Sequence, residues 1–224
     1  FTRFIIVLGE YLMNDTMKTG TTTVGIVAKD CVILAADKRA TAGHFIAGKK
    51  TDKVVKINDS LAITTAGSVS EIQFLIKLIR AELLLRSIRS GRNNKIVESV
   101  NMIAGLVYSS IRKMSMLPSI VHFLVAGSDP ASGAELYDIY PDGSATKIDD
   151  FITSGSGGMM AIGVLEAEYK PDMSSDDAAA LALRAVNSAI QRDSASGDGV
   201  DIFVIDNEGV KKHTSKVLKY SLLD

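Results

Sequence analysis

From Thr22 onward, short apolar and β-branched runs alternate with polar pairs: "TTVGIVA", "CVILAAD", "KVVKI" and "LAITTAG". Lys29-Asp30 separates the first two runs and Asn58-Asp59-Ser60 the last two. Runs of this length, rich in Val, Ile and Thr and bounded by turn residues, predict stacked hairpins. The period then changes. Ile72, Leu75, Ile76, Ile79, Leu83 and Ile88 recur at mainly three- and four-residue spacings, with Glu71 in the first turn and Gly91 as a stop. That spacing predicts a helix over about 70–90. A second helix is expected over about 94–116, ended by Pro118. Strand patterns return in "SIVHFLVAG" and "AELYDIY", with a turn at Pro141-Asp142-Gly143, and one further strand is expected over 146–153. Helices follow over 158–169 and 174–192, the latter opened by Ser174 and Asp177 in a capping-box-like spacing. "VDIFVID" and "VKKHTS" then form a closing strand pair around Asn207-Glu208-Gly209. Strands, two helices, strands, two helices, strands: this order predicts an α+β domain, a four-layer αββα sandwich of two antiparallel sheets flanked by helices. With no repeat or linker composition, a single domain is the economical organisation.

Composition narrows the partners. The 224 residues carry 25 Lys+Arg against 26 Asp+Glu, a formal net charge of -1. No basic excess exists to bind nucleic acid. The one cysteine, Cys31, lies in the apolar "CVILAA" and cannot form an internal disulfide. It reads as a buried thiol in a reducing compartment, so a cytoplasmic location is expected. The opening "FTRFIIVLGEYLM" is interrupted by Glu10 and too short to span a bilayer, so neither a signal peptide nor a membrane partner is expected. The chain opens on Phe1, and Met13 and Met17 are alternative starts.

Two chemistries are set aside by their own motifs. "GHFIAGKK", Gly43 to Lys50, approaches the phosphate-loop pattern, but Lys50 stands where a Ser or Thr should hold magnesium and a strand pattern follows instead of a helix. "TSGSGGMM" is glycine-rich without a Gly-x-Ser-x-Gly elbow. His122 sits in an apolar strand and reads as a packed or hydrogen-bonded side chain, while His44 and His213 read as surface residues. A single cysteine and scattered histidines form no metal-ligand spacing, and no cofactor is expected.

There remain polar residues in apolar settings. "KTGTTTVG" places three threonines after Gly20, Asp37 ends "CVILAAD", Lys53 opens "KVVKI", and Asp193 follows a long helix. Taken singly, each is an ordinary strand-end or helix-end residue, and Thr22 and Thr23 suit the start of a strand. Taken in order, "GTTTVGI", "VILAADKRATAG", "KTDKVVKI", "TTAGSVSEIQ", "SGSGGMMAIGVLEAEY" and "AIQRDSASGDGV" resemble the proteasome β subunits of the catalytic archaeal type. The resemblance runs from Thr21 to about Ser215.

The resemblance implies an N-terminal nucleophile hydrolase fold and a threonine endopeptidase. Residues 1–20 would be a propeptide removed by autocleavage of Gly20-Thr21, leaving 21–224 as the catalytic domain. Thr21 would be the nucleophile. Its freed α-amine, with an ordinary pKa of about 7.7–8.0, could accept a proton near neutrality. Lys53 would favour the alkoxide, Asp37 would orient Lys53, and the Gly67 N–H would form the oxyanion hole. Ser156, Asp193 and Ser196 would complete the network around the amine, with Arg39 behind it. Ala40, Thr51, Val55, Thr65, Val69 and Gln73 would line the substrate pocket, a mostly uncharged set suited to apolar or small side chains. The resemblance further implies heptameric β rings stacked on α-subunit rings, an ATPase unfoldase feeding them, and unfolded polypeptides as substrate. Gly157-Gly158 departs from the many relatives that carry a serine and a bulkier residue after "GSG". The alternative from another class is a structural β subunit that never processes its propeptide. A different N-terminal nucleophile hydrolase, such as an amidase, is disfavoured by the motifs beyond the nucleophile.

Overall fold

The computed structural model describes residues 20–113 and 120–218. Strands β1 (Thr23–Val27) and β2 (Val32–Asp37) form a hairpin closed around Lys29-Asp30. A small separate hairpin follows, β3 (Ala40–Ala42) with β4 (Phe45–Gly48). Next come β5 (Val54–Lys56), β6 (Leu61–Thr64) and the two-residue β7 (Ala66–Gly67), then helices α1 (Val69–Ser90) and α2 (Ile96–Ile111). The second half repeats the alternation with β8 (Val121–Asp129), β9 (Gly133–Ile139), β10 (Ala145–Ile148) and β11 (Phe151–Ser154). Helices α3 (Gly158–Glu168) and α4 (Ser175–Ile190) follow, and β12 (Gly199–Asp206) with β13 (Gly209–Val217) closes the described chain.

The strands form two antiparallel sheets, one in the order β11-β1-β2-β12-β13 and one in the order β10-β9-β8-β6-β5, with β7 added on β8. Every residue of β2 is buried. The reason is the two-residue period of a strand that lies inside a sandwich. Val32, Leu34 and Ala36 point to the other sheet, where they meet Leu124, Ala126 and Leu136. Cys31, Ile33 and Ala35 point outward under α3 and α4, against Leu165, Leu181 and Val186. On the far side, α1 and α2 cover the second sheet through Leu75, Ile79, Leu83 and Ile103, which meet Phe123 of β8. Three apolar layers therefore separate four structural layers, the αββα sandwich expected.

The structure departs from the sequence expectation at three places. The segment expected as one strand over 146–153 is two strands in different sheets. β10 pairs with β9, β11 pairs with β1, and the chain crosses the sandwich at Asp149-Asp150. There the Asp150 carbonyl accepts from the Val27 N–H at 2.7 Å, which ties the crossing to β1. The second helix ends at Ile111, and the expected stop at Pro118 lies outside the described residues. Ile88, counted in the apolar stripe of the first helix, is exposed. It lies five residues beyond Leu83, which turns it about 140° away from the buried face at 100° per residue. The caps follow expectation: Gly91 ends α1 with a left-handed φ of 67°, and the Ser174 hydroxyl accepts from the Asp177 N–H. Among the described residues no helix is long and apolar enough to cross a membrane.

Candidate active site

β1 carries the threonine run into the middle of the first sheet, and Thr21, Thr22 and Thr23 are all buried. Asp37 closes the neighbouring strand directly beside them. Its carboxylate accepts from the Thr22 N–H at 2.9 Å, the Arg39 N–H at 3.0 Å and the Gly197 N–H at 3.0 Å. The Lys53 ammonium donates to the same carboxylate at 2.7 Å. A carboxylate held by three backbone donors is fixed in place, so Lys53 is aimed by a rigid group. Burial pulls the Lys53 pKa below its ordinary value, while the charge of Asp37 and the hydrogen bond to it oppose the shift.

Lys53 also donates to the Gly20 carbonyl oxygen at 3.3 Å, and the Thr21 hydroxyl donates to that same oxygen at 2.7 Å. The hydroxyl thus lies on the carbonyl group that precedes it, with an ammonium beside both. On the other side of Thr21, its N–H donates to Ser156 Oγ at 3.2 Å, and Ser156 Oγ–H donates to Asp193 at 2.6 Å. Ser196 Oγ–H donates to the same Asp193 oxygen at 2.7 Å. Ser196 Oγ lies 2.6 Å from Thr22 Oγ1. A hydroxyl has one proton, and Ser196 spends it on Asp193, so Thr22 is the donor of that pair. Thr22 therefore belongs to the polar network and is more than an opening strand residue.

Gly67 sits at φ 120°, where a Cβ would lie 2.2 Å from the Ile120 carbonyl oxygen. No other residue fits this backbone, and it brings Gly67 to the wall of a cavity of about 140 Å³ beside Thr21. The six pocket residues expected from sequence, Ala40, Thr51, Val55, Thr65, Val69 and Gln73, all line that cavity. Sequence reasoning missed four others there: Thr41, the exposed Asp52, Ile72 and Ile76. The helical repeat held the signal for two of them, because Val69, Ile72, Gln73 and Ile76 share one face. Thr41 also accepts from the Gly20 N–H at 3.1 Å.

Arg39 stands behind the network, donating from Nε to Asp198 at 2.8 Å and from NH1 to the Ser194 carbonyl at 2.9 Å. Gly157, which departs from the residue many relatives carry, stands beside the threonine run. A Cβ there would lie 2.0 Å from Thr22 Oγ1, so close packing against the threonine run demands the glycine. The decoy segment 43–50 folds into the β3–β4 hairpin and its end, with no helix opening after it. His44 and His213 are exposed, as expected, and no group of metal-binding side chains occurs among the described residues.

The layered sandwich, with a buried threonine at the head of an inner strand, is the N-terminal nucleophile hydrolase architecture. A family model described as "Proteasome subunit" matches residues 17–205, and the chain belongs to that family. It is 45% identical over 194 residues to "Proteasome subunit beta" of Ferroglobus placidus, covering 87% of this chain and 90% of that protein. To the protein of the same name from Archaeoglobus profundus it is 42% identical over 215 residues, covering 94% and 97%. To that of Methanopyrus kandleri it is 43% identical over 197 residues, covering 87% and 90%.

Proposed function

We propose that this chain is a threonine-type endopeptidase subunit of the proteasome core, and that it frees its own nucleophile by cutting Gly20-Thr21. The observation that carries this reading is the convergence of the Thr21 hydroxyl and the Lys53 ammonium on the Gly20 carbonyl. In the cut, Thr21 Oγ1 bonds to the Gly20 carbonyl carbon and its proton leaves through the Lys53 amine, whose lowered pKa eases that exchange. The C–N bond then breaks as the Thr21 nitrogen takes up a proton, and water hydrolyses the resulting ester. Residues 1–20 leave as a propeptide, and 21–224 remain as the working domain.

The freed amine starts beside Ser156, whose hydroxyl is tied to Asp193. It then serves as proton acceptor for the Thr21 hydroxyl when a substrate carbonyl occupies the place of Gly20. The Gly67 N–H faces that carbonyl as oxyanion donor, and Asp37 keeps Lys53 oriented throughout. Ala40, Thr51, Val55, Thr65, Val69 and Gln73 receive the side chain preceding the cut bond and favour apolar or small residues. The chain works in heptameric β rings against α-subunit rings in the cytoplasm, with an ATPase unfoldase delivering unfolded polypeptides.

The test is N-terminal sequencing of the chain after co-assembly with α subunits. Thr-Thr-Thr-Val is expected for the wild type, while Thr21→Ala should assemble, stay uncut and hydrolyse no fluorogenic peptide. Residues 1–20 still attached in the assembled wild-type particle would sink the reading in favour of a structural, unprocessed subunit.

A further inference from the structure

The proposed mechanism does not use a polar cluster shared by β8, β9 and β11. His122, on β8, contacts Asp138 of β9 through Nε2 at 2.5 Å and Ser154 of β11 through Nδ1 at 2.8 Å. Its ring stacks on Tyr140 at 4.8 Å between centroids. The Asp138 carboxylate can only accept, so Nε2 carries a proton toward it, and Nδ1 shares the second hydrogen bond with the Ser154 hydroxyl. Serine, histidine and aspartate stand here in the order of a hydrolytic triad. Ser154 is only 4% exposed and paired within its sheet to Thr23, so its hydroxyl cannot meet a substrate.

Location gives the cluster its meaning. β8 and β9 belong to one sheet and β11 to the other, so the His122–Ser154 bond crosses a sandwich interior whose facing strands are largely apolar. Ser154 leads directly into Gly155 and Ser156. Gly155 lies so close that a Cβ on it would sit 2.0 Å from the Thr21 carbonyl oxygen, and Ser156 accepts from the Thr21 N–H. The backbone of His122 meanwhile pairs with Ala66, one residue before Gly67. One residue thus joins the strand that ends at the oxyanion glycine to the turn that braces the nucleophile. Apolar contacts set the distance between two sheets but tolerate sliding, whereas a hydrogen bond is directional.

We propose that His122, held by Asp138, is a positioning residue: through Ser154 it sets the Gly155-Ser156 turn against Thr21, in register with Gly67. This rests on the threonine-protease reading above. The expected consequence lies in turnover more than in substrate binding, because the pocket residues belong to other segments.

The experiment compares wild type, Ser154→Ala, His122→Leu, the double variant and His122→Gln, each co-assembled with α subunits and assayed on a fluorogenic peptide with an apolar residue before the cut bond. Ser154→Ala and His122→Leu should each lower kcat about tenfold, with KM within about twofold, and slow the appearance of the Thr21 N-terminus. The double variant should be no worse than the poorer single, since both remove one bond. His122→Gln, whose amide can donate to Asp138 and accept from Ser154, should recover most of kcat. If His122→Leu fails to assemble, Ser154→Ala decides alone. Wild-type kcat and processing in Ser154→Ala overturn the proposal, as does a fall in Tm without a fall in kcat, or strict additivity in the double variant. Peptidase activity retained in Thr21→Ala has a different signature: it removes the underlying reading, and the proposal with it.

Discussion

The two outer layers of the sandwich are built differently. α4 lies on the first sheet with a buried stripe of small residues, Ala178, Ala179, Ala182, Ala185 and Ala189, around Leu181 and Val186. α1 lies on the second sheet, is 22 residues long and buries only Leu75, Ile79 and Leu83. It leaves Phe74, Leu84, Leu85 and Ile88 exposed and lends Val69, Ile72, Gln73 and Ile76 to the cavity. Small side chains leave little room for rearrangement, so α4 clamps the sheet that carries Thr21 and Asp37. A long helix with few buried anchors presents a wall that can vary. Thr21 and Asp37 stand on the tightly packed side, and much of the cavity wall stands on the looser one.

That contrast can be broken or sharpened by substitution. The largest effect is expected where the two sides meet, in Lys53→Arg, because Lys53 leads into β5 of the second sheet and reaches Asp37 of the first. Arginine keeps the charge opposite Asp37 but does not release its proton, so peptidase activity should fall roughly 10²–10⁴-fold in a kcat assay. The sign of the pH dependence follows. Burial lowers the Lys53 pKa, so its neutral amine forms at lower pH than in a free lysine. Autocleavage of Gly20-Thr21, in which Lys53 takes the proton, should therefore quicken toward alkaline pH in the wild type and stay slow and flat in the Arg variant.

Ala182→Leu comes next, because Ala182 is fully buried between α4 and its sheet. Overpacking there should cost about 1–3 kcal/mol in denaturant unfolding and also slow Gly20-Thr21 cleavage. A destabilised chain that is still cut at the wild-type rate would show that the clamp does not reach the site. On the looser side, Ile76→Ala should shift preference toward larger apolar residues by roughly 10-fold or more in kcat/KM ratios, leaving processing unchanged. The smallest effect belongs to Ile88→Ser, expected within about 0.5 kcal/mol of wild type for the unassembled chain. A larger loss would mean that the exposed end of α1 is packed in a way its exposure does not suggest.

Much of the site was legible because its residues fall inside short motifs. Asp37 at a strand end, Lys53 at a strand start and Ser156 between glycines are local signals, and all three meet around Thr21. The part Thr22 plays was not legible, because β-branching accounts for it fully until Ser196, far along the chain, is brought to its hydroxyl. The need for glycine at 157 was hidden for the same reason: the group it must avoid is distant in sequence. His122 looked like a single polar residue in an apolar strand, and nothing in its neighbours names Asp138 or Ser154 as partners.

The sequence by itself determined the element types, their order and the layered α+β class. These follow from residue periodicity and local turn chemistry, which act within a few residues. Only the tertiary structure decided that 146–153 is divided between two sheets, that Ile72 and Ile76 join the pocket wall, and that His122 meets Ser154 across the sandwich. Such facts depend on which segments meet across the sandwich. That is set by the packing of the whole core, so no local pattern encodes it.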